Sequence, residues 1–133
     1  RGVGRSLSRA GARLAAGEIV GIFPEGTRSR DGRLHRAHPG VAHLALRSGA
    51  PIVPVGIVGT DAAMPPDARI PRPAAPITLR FGAPIDPGRW AGFRPTGSTK
   101  RAMTDEVMDA IAELSGQVRS GAFAPRPGLA TVG

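Results

Sequence analysis

The order of apolar runs and chain breakers between residues 18 and 59 is the feature that most limits the fold. "EIVGIF" (18–23) is mostly β-branched or large apolar and is bounded by Gly17 and Pro24, so it reads as a short buried strand. "PGVAHLALRSG" puts Pro39 at a first helical position, aligns Val41, Leu44 and Ala45 on one face and stops at Gly49. "PIVPVGIVG" (51–59) is a second apolar strand interrupted by Pro54. A proline has no N–H for a ladder, so this segment is an edge or bulged strand, or only its latter half is paired. Strand, loop, helix and strand within about forty residues make a βαβ pattern, which calls for a right-handed crossover. The expected fold class is α/β: a layered, mostly parallel sheet with flanking helices.

The remaining segments fit around that unit. Leu7, Ala10, Leu14 and Ala15 share a helical face ended by Gly17, with Arg5, Arg9 and Arg13 opposite. "AAMPPDARIPRPAAP" (62–76) holds too many prolines for regular structure and is a surface loop. "ITLRFG" alternates Ile77, Leu79 and Phe81 against Thr78 and Arg80, as a strand with one wetter face does. Trp90 and Phe93 are assigned to loop packing against the core. Ser98 or Thr99 caps a final helix whose Met103, Val107, Ile111 and Leu114 face inward. Residues 1–118 form one domain and residues 119–133 a flexible tail. The chain opens at Arg1, without methionine, in the approach to a helix, so the domain is expected to be N-terminally incomplete.

Eighteen basic residues stand against ten acidic ones, a formal net charge of +8, which favours polyanions, anionic lipid surfaces or phosphorylated substrates. The absence of cysteine excludes disulfides, thiol catalysis and cysteine-ligated metal sites. No apolar stretch approaches the roughly 20 residues of a spanning helix. With no tyrosine, one tryptophan and four phenylalanines, the chain has little with which to stack single-stranded bases. A basic, non-catalytic module that binds duplex nucleic acid, or docks on anionic membrane through Arg5, Arg9 and Arg13, stays open as the alternative.

The loop "PEGTRSRDGR" (24–33) follows the first expected strand, the position at which open α/β sheets place ligands. Arg28 offers a planar fork of donors suited to phosphate, Thr27 adds a hydroxyl, and Gly26 allows close backbone approach. Glu25 repels a phosphate unless it orients an arginine or accepts hydrogen bonds from hydroxyls on the ligand. A phosphate ester with a free hydroxyl satisfies both demands. The same composition also suits an exposed, solvated turn.

Two ordered blocks go further than composition. "FPEGTRS" after an apolar strand, followed some distance on by "PIVPVGIVGTD", resembles the glycerolipid acyltransferase family, in particular the bacterial 1-acylglycerol-3-phosphate acyltransferases. The resemblance covers about residues 1–118. It implies that Glu25, Gly26, Thr27 and Arg28 bind the acceptor phosphate, with Phe23, Pro24, Val53, Pro54 and Val55 shaping the active site, and it offers Arg1 as a further phosphate contact. It implies acyl transfer from acyl-CoA or acyl carrier protein to a lysophosphatidate-like acceptor, giving phosphatidate, with no cofactor and no metal. It also implies a peripheral place on the cytoplasmic side of a membrane, an anionic membrane surface as a further contact, and no specific nucleic acid partner.

The family's catalytic motif, a histidine and an aspartate five positions apart upstream of the phosphate-binding block, has no counterpart in the chain. His35, His38 and His43 all follow that block, and five places after them stand Gly40, His43 and Ser48. No carboxylate is expected to orient any of the three, which leaves no catalytic residue in the chain and an acceptor-binding half that is inactive alone.

Overall fold

The computed structural model describes the backbone of residues 2–125 and the side chains from residue 4 onward. Helix α1 (Gly2–Ala15) lies on α2 (Gly40–Ser48), with Leu7 and Leu14 half-buried and Arg5, Arg9 and Arg13 exposed. The two helices approach closely through glycines: a Cβ on Gly40 would meet Leu7 at 3.4 Å, and one on Gly11 would meet Leu44 at 3.9 Å. Gly17, at φ +80°, turns the chain out of α1, where Arg13 grips Glu18 through both carboxylate oxygens at 2.9 and 3.0 Å. Gly49 ends α2 in the left-handed conformation with its N–H on Ala45 O, so the expected stop is where the helix stops.

The longest element, α4 (Gly97–Ser115), is the spine, and α3 (Thr60–Ala63) is a single turn between the two strands of the sheet. The cap of α4 is Thr96, whose Oγ1 accepts from Thr99 N at 3.3 Å, in place of the Ser98 or Thr99 expected from sequence. Two apolar clusters meet on this helix. Met108 packs with Leu34 and Ala37, flanked by Ile111 and Ala112, while Met103 packs with Ala42 and Ala45, flanked by Leu46, Ile52 and Trp90. Trp90 therefore packs as expected and Phe93 does not, being exposed.

The layered parallel sheet is not formed among the described residues. The sheet there has two strands, β1 (Val55–Val58) and β2 (Thr78–Phe81), paired antiparallel with Val55 opposite Phe81 and Val58 opposite Thr78. Residues 59–77 between them contain only the single turn α3, so the chain reverses on itself instead of crossing over a helix. Residues 18–23 pair with nothing in a ladder: Ile19 is 99% exposed and Phe23 77%. Apolar and β-branched composition favours a strand only where a neighbouring edge is present to receive its backbone bonds. A parallel pairing occurs elsewhere. Leu34 N donates to Val118 O at 3.0 Å, Ser120 N to Leu34 O at 3.0 Å and Arg36 N to Ala122 O at 2.7 Å.

Pro54 behaves as its missing N–H requires. Only the residues after it join the ladder, and Ile52 resumes pairing with Ile85, so Val53 and Pro54 face the three residues Gly82 to Pro84 across a bulge. β2 is exposed throughout, and Leu79 and Phe81 point away from the core, the reverse of the expected wet and dry faces. Arg80 takes the inner side, where its guanidinium donates to Leu114 O at 3.1 Å at the C-terminal end of α4.

The sheet sits against α4 so closely that Gly56 has no room for a side chain, since a Cβ there would lie 2.6 Å from the Leu114 backbone. Gly56→Ala is expected to lower the unfolding free energy by about 2 kcal/mol or more in chemical denaturation. Gly97→Ala, in the first turn of α4 with nothing within 4 Å, is expected to change it by less than about 1 kcal/mol.

Candidate functional site

The arginine loop is held from within. Gly26 N donates to Phe23 O at 3.1 Å, closing a turn through Pro24 and Glu25, and Gly26 takes φ +72° to do so. A Cβ on Gly26 would also meet His38 Cδ2 at 3.2 Å. His38 N donates to Pro24 O at 2.9 Å, and Glu25 Oε2 accepts from His35 N at 2.7 Å, so the carboxylate reaches ten residues along the chain and pins the far side of the loop. Glu25 is thus a brace. It forms no ion pair with an arginine among the described residues, and its Oε2 answers a backbone donor that would otherwise be unsatisfied.

Asp31 is committed in the same way. Its Oδ1 accepts from Arg33 N at 3.1 Å, from Ser29 Oγ at 3.0 Å and from His35 Nε2 at 2.9 Å. The backbone bond from Arg33 contributes most and the His35 bond next, and together with Ser29 they bring the Asp31 carboxyl down from 3.8 to about 2. His35, 6% exposed, faces Ser120 Oγ with its other ring nitrogen at 3.0 Å. A carboxylate does orient this histidine, contrary to expectation, and Asp31 stands four residues before it and not five after. The spacing from Asp31 to His35 is the signal that identifies the pair. Asp31, His35 and Ser120 follow the order of a nucleophilic triad, but Ser120 Oγ also bonds Ala122 N and O at 3.2 and 3.1 Å, and both His35 nitrogens are engaged. The chain of bonds ties the loop to the C-terminal segment; it does not expose a nucleophile.

With both loop carboxylates spoken for, Arg28, Arg30 and Arg33 form no ion pair among the described residues. Thr27, Arg28, Arg30, Asp31 and His35, with Ala124 and Pro125, line a cavity of about 110 Å³. That is room for several waters or one oxyanion. Of the expected site residues, Thr27 and Arg28 line the cavity, while Glu25 and Gly26 shape the turn behind it. Pro24 sits in that turn and Phe23 is exposed beside it. Val53, Pro54 and Val55 are not among the lining residues: Pro54 is buried near Gly82 at the sheet bulge, and Val55 opens β1. Arg1 lies outside the described residues. Arg30, Ala124 and Pro125 are cavity residues that sequence reasoning did not single out. Among the described residues no group of three histidine or acidic side chains is placed to hold a metal, and no helix is long and apolar enough to cross a membrane.

Residues 119–125 are bonded to the domain, although the sequence assigns them to a flexible tail. Arg119 pairs with Asp109 at 2.6 Å and Asp105 at 3.1 Å, and the Phe123 ring stacks on His38 with centroids 5.1 Å apart. Residues 126–133 lie outside the described residues.

The Asp31 carboxyl has its pKa lowered in the folded chain, so its contribution to stability is complete above pH 3.8 and lost as pH falls through about 2. In thermal melts from pH 5 to pH 2, the advantage of the native protein over Asp31→Asn is expected to shrink across that window and vanish at its lower end.

Comparisons with known proteins agree on one family. The "Acyltransferase" family model matches residues 3–58. A 1-acyl-sn-glycerol-3-phosphate acyltransferase of Limnanthes douglasii is 48% identical over 69 residues, taking in 52% of this chain and 24% of that protein. One from Cocos nucifera is 45% identical over 69 residues, 52% of this chain and 22% of the relative. The chain thus matches about a quarter of the length of these relatives. The crystal structure of the 1-acyl-sn-glycerophosphate (LPA) acyltransferase PlsC from Thermotoga maritima superposes with a TM-score of 0.63 at 32% identity, covering 83% of this chain and 44% of that one. Phe23 to Arg28 and Val53 to Val55 all fall within the matched region, and over it the chain is similar to 1-acyl-sn-glycerol-3-phosphate acyltransferases.

Proposed function

We propose that the chain binds the phosphate of a lysophosphatidate-type acceptor for acyl transfer from acyl-CoA or acyl carrier protein, forming phosphatidate in glycerolipid synthesis. The observation that carries this reading is the cavity at Arg28. The loop's carboxylates are turned to its own backbone and to His35, which leaves Arg28 and Arg30, with the Thr27 hydroxyl, free to meet a phosphoryl group. The relatives' names give the acceptor class, and the loop supplies the matching charge. Glu25 and Gly26 serve by fixing the backbone, Phe23 and Pro24 by setting the turn, and Val53, Pro54 and Val55 by shaping the neighbouring surface at the sheet bulge.

In this reading Arg28 grips two phosphate oxygens with its fork and Arg30 adds charge from the same wall. The phosphate is thereby fixed, and the acceptor hydroxyl projects out of the cavity toward the acyl donor. The general base that takes the hydroxyl proton is neither His35, whose ring nitrogens are both engaged, nor His38, which is stacked on Phe123. Residues 1–118 act as the acceptor-binding half of a peripheral enzyme at the cytoplasmic face of a membrane. Arg5 and Arg9, on the exposed face of α1, supply charge toward anionic lipid; Arg13 is already taken by Glu18.

Arg28→Ala is expected to weaken glycerol 3-phosphate binding by roughly 2 kcal/mol, about thirtyfold in Kd by calorimetry, with little change in melting temperature. Unchanged affinity removes Arg28 from the site. The 133-residue chain mixed with acyl-CoA and lysophosphatidate is expected to bind acceptor but to turn over at least about a hundredfold below a complete enzyme, since a general base contributes about 10²- to 10⁴-fold. Rates of an ordinary enzyme from this chain alone would place the base within it.

A further inference from the structure

The acceptor signature supplies only part of the cavity wall, and residues that no motif marks supply the rest. Ala124 and Pro125 line the cavity together with Thr27, Arg28 and Arg30. They are carried there by a segment fastened at successive points. Arg119 bonds Asp105 and Asp109 on α4, Ser120 bonds His35, and Ala122 O accepts from Arg36 N at 2.7 Å. Phe123 stacks on His38 at 20° between ring planes, and the guanidiniums of Arg36 and Arg101 lie 5.3 and 5.8 Å from its ring centroid. Arg101 in turn donates to Ala37 O at 3.0 Å.

These fasteners fall on the residues that shape the signature loop. His35 supplies the amide that Glu25 accepts, and it also bonds Asp31 and Ser120. His38 supplies the amide bonded to Pro24 O, and its ring is what a Cβ on Gly26 would strike at 3.2 Å. Phe123 therefore stacks on the ring that borders Gly26, while Ser120 bonds the ring of the residue whose amide Glu25 accepts.

We infer that residues 119–125 are a strap that forms the outer wall of the anion cavity and sets the shape of the phosphate-binding loop, with Ser120 and Phe123 as positioning residues for acceptor recognition. The inference rests on the acceptor reading of the loop. A segment that only finished the fold would stabilise α4 without changing affinity for a small phosphate. This one reaches the cavity with Ala124 and Pro125 and grips the two histidines whose amides complete the loop.

The test compares native chain, Ser120→Ala, Phe123→Ala, Phe123→Tyr and Arg28→Ala, each titrated with glycerol 3-phosphate by calorimetry and melted to check folding. Phe123→Ala removes one ring stack and two cation–π contacts and is expected to raise Kd about tenfold, and Phe123→Tyr to stay within about twofold of native. Ser120→Ala, which deletes a single hydroxyl and preserves the fold if Phe123→Ala does not, is expected to raise Kd about threefold to tenfold. Amides of Gly26, Thr27 and Arg28 are expected to exchange faster with deuterium in both variants while α4 amides keep their protection. Native affinity and native loop exchange in Ser120→Ala and Phe123→Ala, alongside lost affinity in Arg28→Ala, overturn the strap and leave the acceptor site standing. Native affinity in Arg28→Ala overturns the acceptor reading itself, and the strap with it.

Discussion

The bond from His35 N to the Glu25 carboxylate, 2.7 Å long and partly buried, is the constraint on which the rest of the site depends. It closes a loop of ten residues with one charge-assisted contact, and such contacts are worth about 1.5–3 kcal/mol. It also decides the loop's electrostatics. A glutamate three residues before an arginine can fold onto it and cancel its charge; here the carboxylate is held on a backbone donor, and Arg28 stays available. Gly26 makes the arrangement feasible, since its φ of +72° is one that an ordinary side chain disfavours and a Cβ there would meet the His38 ring at 3.2 Å.

Behind the loop, α4 fixes where its far side can go. Met108 holds Leu34 and Ala37, the residues that flank His35 and Arg36, and Met103 holds Ala42 and Ala45 on α2. Methionine suits this duty because its unbranched chain fills irregular space between a helix and a loop that has no regular surface to offer. The same helix presents Asp105 and Asp109 to Arg119, and Gln117, just beyond its C-terminal end, donates to Gly32 O at 3.0 Å at the loop's tip. The tip and the far side of the loop are therefore referred to one helix, and its start is tied to that far side through His35 and His38.

Much of this was legible in the sequence, for reasons that differ by element. Helical spacing ended by glycine located α1 and α2, because Gly17 and Gly49 adopt the positive φ that a left-handed cap demands, and the apolar face of Met103, Val107, Ile111 and Leu114 located α4. Pro54 announced that only part of its strand would pair. Sheet topology was not legible, since strand partners are chosen by edges that composition does not encode: residues 18–23 look like a buried strand yet stand unpaired, and the parallel pairing falls on Leu34 and Arg119. At the site, Thr27 and Arg28 were readable from donor chemistry. The role of Glu25 was not, because its partner is a backbone amide, and every residue has one. Ser120 and Phe123 were invisible for a similar reason, their contacts being 85 residues away in sequence for the one and with a solvent-facing histidine for the other.

Three guanidiniums in six residues repel one another, yet the loop tolerates them. Arg28, Arg30 and Arg33 are exposed, where water and salt screen like charges over about 8 Å. The repulsion is therefore small until an anion enters and displaces that water, at which point the same charges act through a lower dielectric and attract more strongly. A loop whose acids neutralised its bases would be more comfortable empty and would bind nothing. Engaging Glu25 and Asp31 with amides and a histidine keeps the loop rigid without quenching it, so the carboxylates determine shape and the arginines carry the charge.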